Sequence, residues 1–226
     1  MIPRPRCGRD SLVTVSVLPM FPLGTVLVPG MLLPLQVFEP RYRALVHDCL
    51  AGAGEFGVVL IERGSEVGGG DVRTGIGTVA HILRVEELQD GRFALAAVGT
   101  RRLRVTAWLE DDPYPRAEVD DWPDDPDDPT AAEAAAEALG PGGEVTVLLR
   151  RAAALAAELG EAAPPVDLEL ADDPGLASFQ AVAVAPLGPA DRQALLATPT
   201  VAARATLLRE LLEGTVELLS ARLASG

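Results

Sequence analysis

The chain has 226 residues, 48% of them hydrophobic, and 33 acids against 19 basic residues, for a net charge of −14. That is enough apolar material for one sizeable core or two small ones, and it excludes a disordered chain or a miniature stapled by disulfides. Every basic residue is arginine, so within this sequence a Walker-loop lysine, a Schiff base and a Ser-Lys dyad are excluded.

The acidic balance repels nucleic acid and anionic membrane surfaces at long range. Cys7 and Cys49 are the only cysteines, too few for a metal site or a disulfide framework, and read as reduced thiols of a cytosolic protein. Residues 11–38 carry no charge, but Pro19, Pro22, Pro29 and Pro34 interrupt them. No helical stretch near the roughly 20 residues needed to cross a bilayer survives those breaks. No small-residue cleavage site closes the apolar run at 12–18 either. The expected location is cytoplasmic, away from membranes.

Runs of β-branched residues punctuated by Pro and Gly predict strands at 12–18, 25–28, 32–37, 56–62, 77–87, 92–99, 103–109 and 116–119. Asp90-Gly91 between two of these runs is a hairpin signal, because Gly tolerates the positive φ of a tight turn. Leu103 and Val105 alternate with Arg102 and Arg104, which predicts a strand with one wet face. One helix interrupts the strands: Pro40 stands at its first turn, and Tyr42, Leu45, Val46 and Cys49 recur at helical spacing up to Gly52. Short strands with one covering helix predict a small closed or half-open barrel.

Residues 110–128 hold ten acids against Arg116, a net −9, with five prolines from Pro113 to Pro129 scattered through and just after them. The part after Trp122 reads as an extended, solvated linker that repels itself; it lacks the spacing of a calcium loop. Beyond Thr130 the pattern turns helical. Helices are predicted at 130–139, 144–159, 174–185 and 189–197, with Asp173 capping the third, and a long one from Thr200. On the second, Val147, Leu148, Arg151, Ala152, Leu155 and Leu159 mark an amphipathic pattern. The last carries an apolar stripe from Val201 to Leu223, widened by Leu207, Leu211 and Leu218.

Catalytic constellations are not found. His47 and His81 lack a partner pattern, no G-x-S-x-G occurs, and Gly68-Gly69-Gly70 is followed by Asp71 rather than a phosphate-binding helix start. No C-x-x-C, H-E-x-x-H or dinucleotide fingerprint is present, so neither metal nor cofactor is expected.

Several ordered blocks carry a family likeness: Leu18-Pro19-Met20-Phe21-Pro22-Leu23, the run from Val26 to Leu35, Phe38-Glu39-Pro40-Arg41-Tyr42-Arg43, Phe56-Gly57-Val58-Val59-Leu60, Gly77-Thr78-Val79-Ala80-His81-Ile82, and Val98-Gly99-Thr100-Arg101-Arg102-Leu103. In these the chain resembles the N-terminal substrate-binding domain of Lon proteases, in the form of a stand-alone protein without ATPase or protease parts. One departure is Gln36, where relatives often carry His. The resemblance implies an α+β fold: a PUA-like six-stranded β pseudo-barrel with one helix, then a C-terminal α-helical bundle. The expected divisions are an extension and first strand at 1–17, the pseudo-barrel at 18–121, an acidic linker at 122–130 and a helical domain at 131–226.

The resemblance further implies a non-catalytic module that binds unfolded or client polypeptides, for delivery to a protease or chaperone. Peptides are recognised by apolar grooves or open strand edges, and the uncharged segment with the helix start supplies the candidates Phe21, Leu23, Val28, Met31, Leu33, Phe38 and Tyr42. The barrel core is the competing place for Phe21, Phe38 and Tyr42. The alternative function is a PUA-like barrel that binds RNA or a small ligand through Arg101, Arg102 and Arg104 beside an aromatic platform.

Overall fold

Proline and glycine punctuation divides the first half of the chain into six strands and one helix in the computed structural model, which describes residues 16–63, 72–161 and 169–225. In order these are β1 (Ser16–Leu23), β2 (Leu32–Val37), α1 (Pro40–Ala51), β3 (Glu55–Arg63), β4 (Val72–Glu87), β5 (Phe93–Trp108) and β6 (Arg116–Asp121). The sheet runs β2-β5-β4-β3-β1-β6, and β6 pairs a second time with β5. That second pairing curls the sheet into a pseudo-barrel, since closure removes edges. β2 alone stays outside the closed circuit, as an edge strand on β5. All pairings are antiparallel except β1 with β3.

Two expectations about the strands are corrected. Residues 25–28 form no strand; they cross the barrel as a buried loop that turns at Pro29 and Gly30, the latter at φ +81°. Their peptide groups are satisfied from the side, with Thr78 Oγ1 donating to the Leu27 carbonyl at 2.6 Å. Residues 92–99 and 103–109, expected as two strands, are one, β5. Gly99 between them is a point of close approach, where a β-carbon would collide with the Val28 carbonyl, rather than a break. The Asp90-Gly91 hairpin is present, with Gly91 at φ +76°. The Gly68-Gly69-Gly70 tip, Cys7 and residues 12–15 of the first expected strand lie outside the described residues.

α1 starts on Pro40 and plugs the barrel with Tyr42, Leu45, Val46 and Cys49, which join Phe56, Phe93 and residues of β1 and β2 in one apolar core. The second half forms α2 (Pro129–Leu139), α3 (Glu144–Glu158), α4 (Pro174–Val184), α5 (Pro189–Leu196) and α6 (Val201–Ser225). Asp128 caps α2 through Thr130 N and Ala131 N, and Asp173 caps α4 through Leu176 N, each satisfying amides that the first turn leaves open. The helices enclose a second core. Val26, Val28 and Leu60 from the barrel side enter it beside Leu149, Leu208 and Leu212.

On α3 the buried side is Val145, Leu149, Ala152, Ala153 and Ala156, while Val147 is exposed. The inward face is therefore rotated from the expected one: Ala152 is shared and Leu148 and Leu155 lie at its margin, because small alanines take part of the tight packing side beside Val145 and Leu149. Leu218 of α6 is likewise exposed instead of widening the buried stripe, and Arg204 is fully buried within it. Among the described residues no helix is long and apolar enough to cross a membrane.

Candidate functional site

Five of the expected binding residues line cores. Phe21, Leu23, Leu33 and Tyr42 belong to the barrel core, and Val28 to the core shared with the helices. Buried as they are, they present no surface to another chain in this conformation. Met31 is half-buried and packs against both cores. Phe38, just after β2, is 56% exposed.

Accessible apolar surface gathers beside Phe38 on the outer face of β2, β5 and β4. Strand alternation sends Leu33 and Val37, and Phe93, Leu95 and Ala97, inward; it sends Leu32, Pro34 and Gln36, and Ala94, Ala96 and Val98, outward. Register then aligns three rows across the strands: Leu32–Val98–His81, Pro34–Ala96–Arg84 and Gln36–Ala94–Glu86. The small alanines on the middle strand make a floor, with Pro34 and Gln36 along one wall and Arg84 and Glu86 along the other. The result is an open trough of about 420 Å³. Leu32, 63% exposed, stands in the next row. Arg84 and Glu86 pair loosely at 3.8 Å, so the walls sum to no net charge on a chain of net −14.

The free edge of β2 borders this trough. Gly99 N donates to Met31 O, which sets the alternation, so odd-numbered residues of β2 turn their peptide groups to β5 and even-numbered ones turn outward. Pro34 occupies an outward position, where its missing N–H costs the ladder nothing.

The three arginines expected to form a basic stripe point to different partners. Arg101 is bidentate to Glu55 at 2.8 and 3.0 Å and donates to Asp121 at 2.8 Å. Arg102, expected on a wet face, is 3% exposed; it donates to the carbonyls of Leu196 and Thr198 and to Asp124 Oδ1. Only Arg104 is exposed, its guanidinium 4.9 Å from the Trp122 ring centroid, while Arg102 covers the same ring at 4.1 Å. With its aromatic surface shared by two guanidinium groups, Trp122 is no open platform for a base.

Arg204 of α6, fully buried, meets the same carboxylate as Arg102, with Nη1 and Nη2 donating to Asp124 Oδ1 and Oδ2 at 2.8 Å each. The segment after Trp122 is extended, as its prolines predict, but it is not merely solvated. Asp124 binds two arginines, Asp127 accepts from Ala202 N at the start of α6, and Asp128 caps α2. Each fastening offsets the mutual repulsion expected of the acids.

No side chains are arranged for acid–base or nucleophilic work in the described residues. The Cys49 thiol is buried and donates to the Glu55 carbonyl. Burial, helped by Asp48, pushes its pKa up to about 12, the opposite of an activated thiolate. Tyr114 donates to Asp48 at 2.6 Å, and its pKa is likewise pushed up to about 12, first by burial and then by that bond. His47 lies edge-on to Phe93. No group of three His, Cys, Asp or Glu among the described residues could hold a metal ion.

The family model of the substrate-binding domain of the ATP-dependent protease La (Lon) matches residues 17–214. The chain belongs to the Lon substrate-binding domain family. It is 27% identical over 215 residues to Lon protease 1 of Herpetosiphon aurantiacus and 32% identical over 211 residues to Lon protease 2 of Myxococcus xanthus. Those matches cover 91% and 90% of this chain but 25% and 24% of the relatives, so the chain spans about a quarter of their length. Among solved structures, a Lon N-terminal domain protein from Xanthomonas campestris superposes with a TM-score of 0.58 at 30% identity, covering 88% of this chain and 98% of that one. The N-terminal domain of a Mycobacterium avium complex Lon protease superposes with a TM-score of 0.61 at 21% identity over the same shares, a likeness of fold. The expected α+β architecture is thereby established for this member of the Lon family.

The trough was missed in the sequence because its floor is made of alanine. The signal that could have found it is the all-apolar run from Phe93 to Val98: where both faces of a strand are apolar, the outer face wants a cover or a partner.

Proposed function

We propose that this chain is a non-catalytic polypeptide-binding module, which holds extended segments of client chains against the outer face of β2, β5 and β4. The observation that carries this reading is the neutral apolar trough of Pro34, Ala94 and Ala96, flanked by exposed Leu32 and Phe38, in a member of a substrate-binding family. A surface without net charge suits clients chosen for exposed apolar side chains rather than for charge, and a shallow trough accepts one side chain of an extended peptide at a time. Phe38 is retained from the expected site, while Met31 packs against both cores. The buried Phe21, Leu23, Val28, Leu33 and Tyr42 act beneath it, holding the strands in register. Catalysis is assigned to no residue of this chain, whose sequence lacks the lysine that a Walker loop or a Ser-Lys dyad requires.

The test is fluorescence anisotropy with a reduced, carboxymethylated and therefore permanently unfolded protein as the probe. Wild type binds it. Ala96→Glu, which puts a charge on the trough floor, weakens binding by about tenfold or more with an unchanged melting temperature. No binding by wild type, or equal binding by Ala96→Glu, refutes the reading. The RNA alternative predicts a salt-sensitive shift of single-stranded RNA that disappears in Arg104→Ala. The engagement of Arg101 and Arg102 with carboxylates and carbonyls favours the polypeptide reading.

A further inference from the structure

The contact between the barrel and the helices contains an unusual charge arrangement. Arg102 comes from β5 and Arg204 from α6, they are 3% and 0% exposed, and both donate to the carboxylate of Asp124. Two buried cations share one carboxylate. Their remaining donors are met by neutral groups: Arg102 by the carbonyls of Leu196 and Thr198, Arg204 Nε by Ser178 Oγ, with the ring of Phe179 3.8 Å from the Arg204 guanidinium. A guanidinium keeps its proton under any condition in which a protein folds, so neither arginine can shed its charge as a buried lysine would. Without the Asp124 carboxylate, which is itself part-exposed, the pair is left to water, and guanidinium groups this deeply buried become fully hydrated only when β5 separates from α5 and α6.

We propose that Asp124 is an ionic lock that makes the barrel and the helical region one cooperative unit, and that neutralising it opens the contact between them. The neighbouring bonds run through the same place. Trp122 N donates to Arg102 O, Asp125 N to Pro199 O, and Gln193 Nε2 to Ile76 O, so the segment after Trp122, α5 with the residues that follow it, and two strands are fastened together on this side of the barrel. The rival arrangement is an apolar contact that suffices alone, through Val26, Val28 and Leu60 in the helical core. The two differ in what happens when only the charge is changed.

The experiment is hydrogen exchange followed by mass spectrometry on the full chain, comparing wild type, Asp124→Asn and Glu133→Gln, an exposed carboxylate of α2. In wild type and Glu133→Gln the most protected amides of α6 and of β3 exchange together, through a single global opening. In Asp124→Asn the amides of residues 196–208 exchange about 100-fold or more faster, while those of α1 and β3 keep their protection and calorimetry resolves two transitions. Equal acceleration of α6 and β3, or no acceleration in either, overturns the lock. If Asp124→Asn does not accumulate as folded protein, the double variant Asp124→Asn/Arg204→Met leaves one uncompensated guanidinium instead of two. Recovery of folded protein by the double variant supports the lock, and failure to recover overturns it. The outcome is independent of client binding.

Discussion

The rings of Phe21 and Tyr42 lie 4.1 Å apart, centroid to centroid, with planes 11° from parallel. One comes from β1 and the other from α1, so this stack is where the helix is seated in the barrel. Phe21→Ala is expected to cost about 3–5 kcal/mol, the usual loss for a buried aromatic, seen as a lower chemical-denaturation midpoint. The affinity of the remaining folded molecules for an unfolded probe stays as it was. A variant that keeps its stability but loses the probe would return Phe21 to the binding surface.

Two glycines of the sheet predict opposite outcomes. A β-carbon at Gly99 meets the Val28 carbonyl, whereas one at Gly75 meets nothing within 4 Å. Gly99→Ala is expected to destabilise by about 2–3 kcal/mol through overpacking, and Gly75→Ala to stay within about 0.5 kcal/mol of wild type. Urea titrations of the pair settle it.

Alkaline stability follows from Cys49 and Tyr114. Both are raised in the folded state, from 9.0 and 10.0 respectively to about 12, so the folded protein holds these protons more tightly than the unfolded chain. Their contribution is complete below pH 9 and is lost as the pH rises toward 12. Tyr114→Phe, lacking both the proton and the bond to Asp48, is expected to be less stable than wild type at pH 8 and to show a shallower decline above pH 10.

Acid acts on Glu55 with the opposite sign. Its bidentate bonds to Arg101 hold its pKa below the usual carboxylate range against some desolvation. That stability is present above the unfolded pKa near 4.5 and disappears as the pH falls through the folded value. Because both side chains are part-exposed to solvent, screening limits the pair to about 0.5 kcal/mol. Glu55→Gln should therefore lower stability slightly at pH 7, with the gap to wild type narrowing as the pH falls below 4.5; a gap that widens on acidification would contradict the assignment.

Local signals in the sequence were reliable wherever a single residue type dictates backbone shape. Pro40 opens α1, Asp173 caps α4, Gly91 turns the hairpin and β2 spans residues 32–37 as read. Signals that depend on distant partners were illegible. Nothing near Arg102 announces that it faces Asp124 and the carbonyls of α5's end rather than water, because those partners lie 22 residues or more away. The acids after Trp122 read as a solvated run because charge counting ignores what each carboxylate touches. On α3, counting large apolar side chains shifted the face: Leu148, Ala152 and Leu155 do pack against the core, but its centre is Val145, Leu149, Ala152, Ala153 and Ala156, while Val147 is exposed. The same blindness to alanine hid the trough, while the uncharged run of residues 11–38 drew attention to Phe21, Leu23, Val28 and Leu33, which the two cores consume.

Pro34 carries a consequence for self-association. An edge strand with alternating free donors and acceptors templates further strands, and repeated addition is how cross-β fibrils grow. At β2 the outward N–H is missing at the middle position, so a second copy laid along it finds an interrupted ladder. Among the described residues β2 ends the sheet, and Pro34 thus breaks the template that its apolar surroundings would otherwise offer to a second copy.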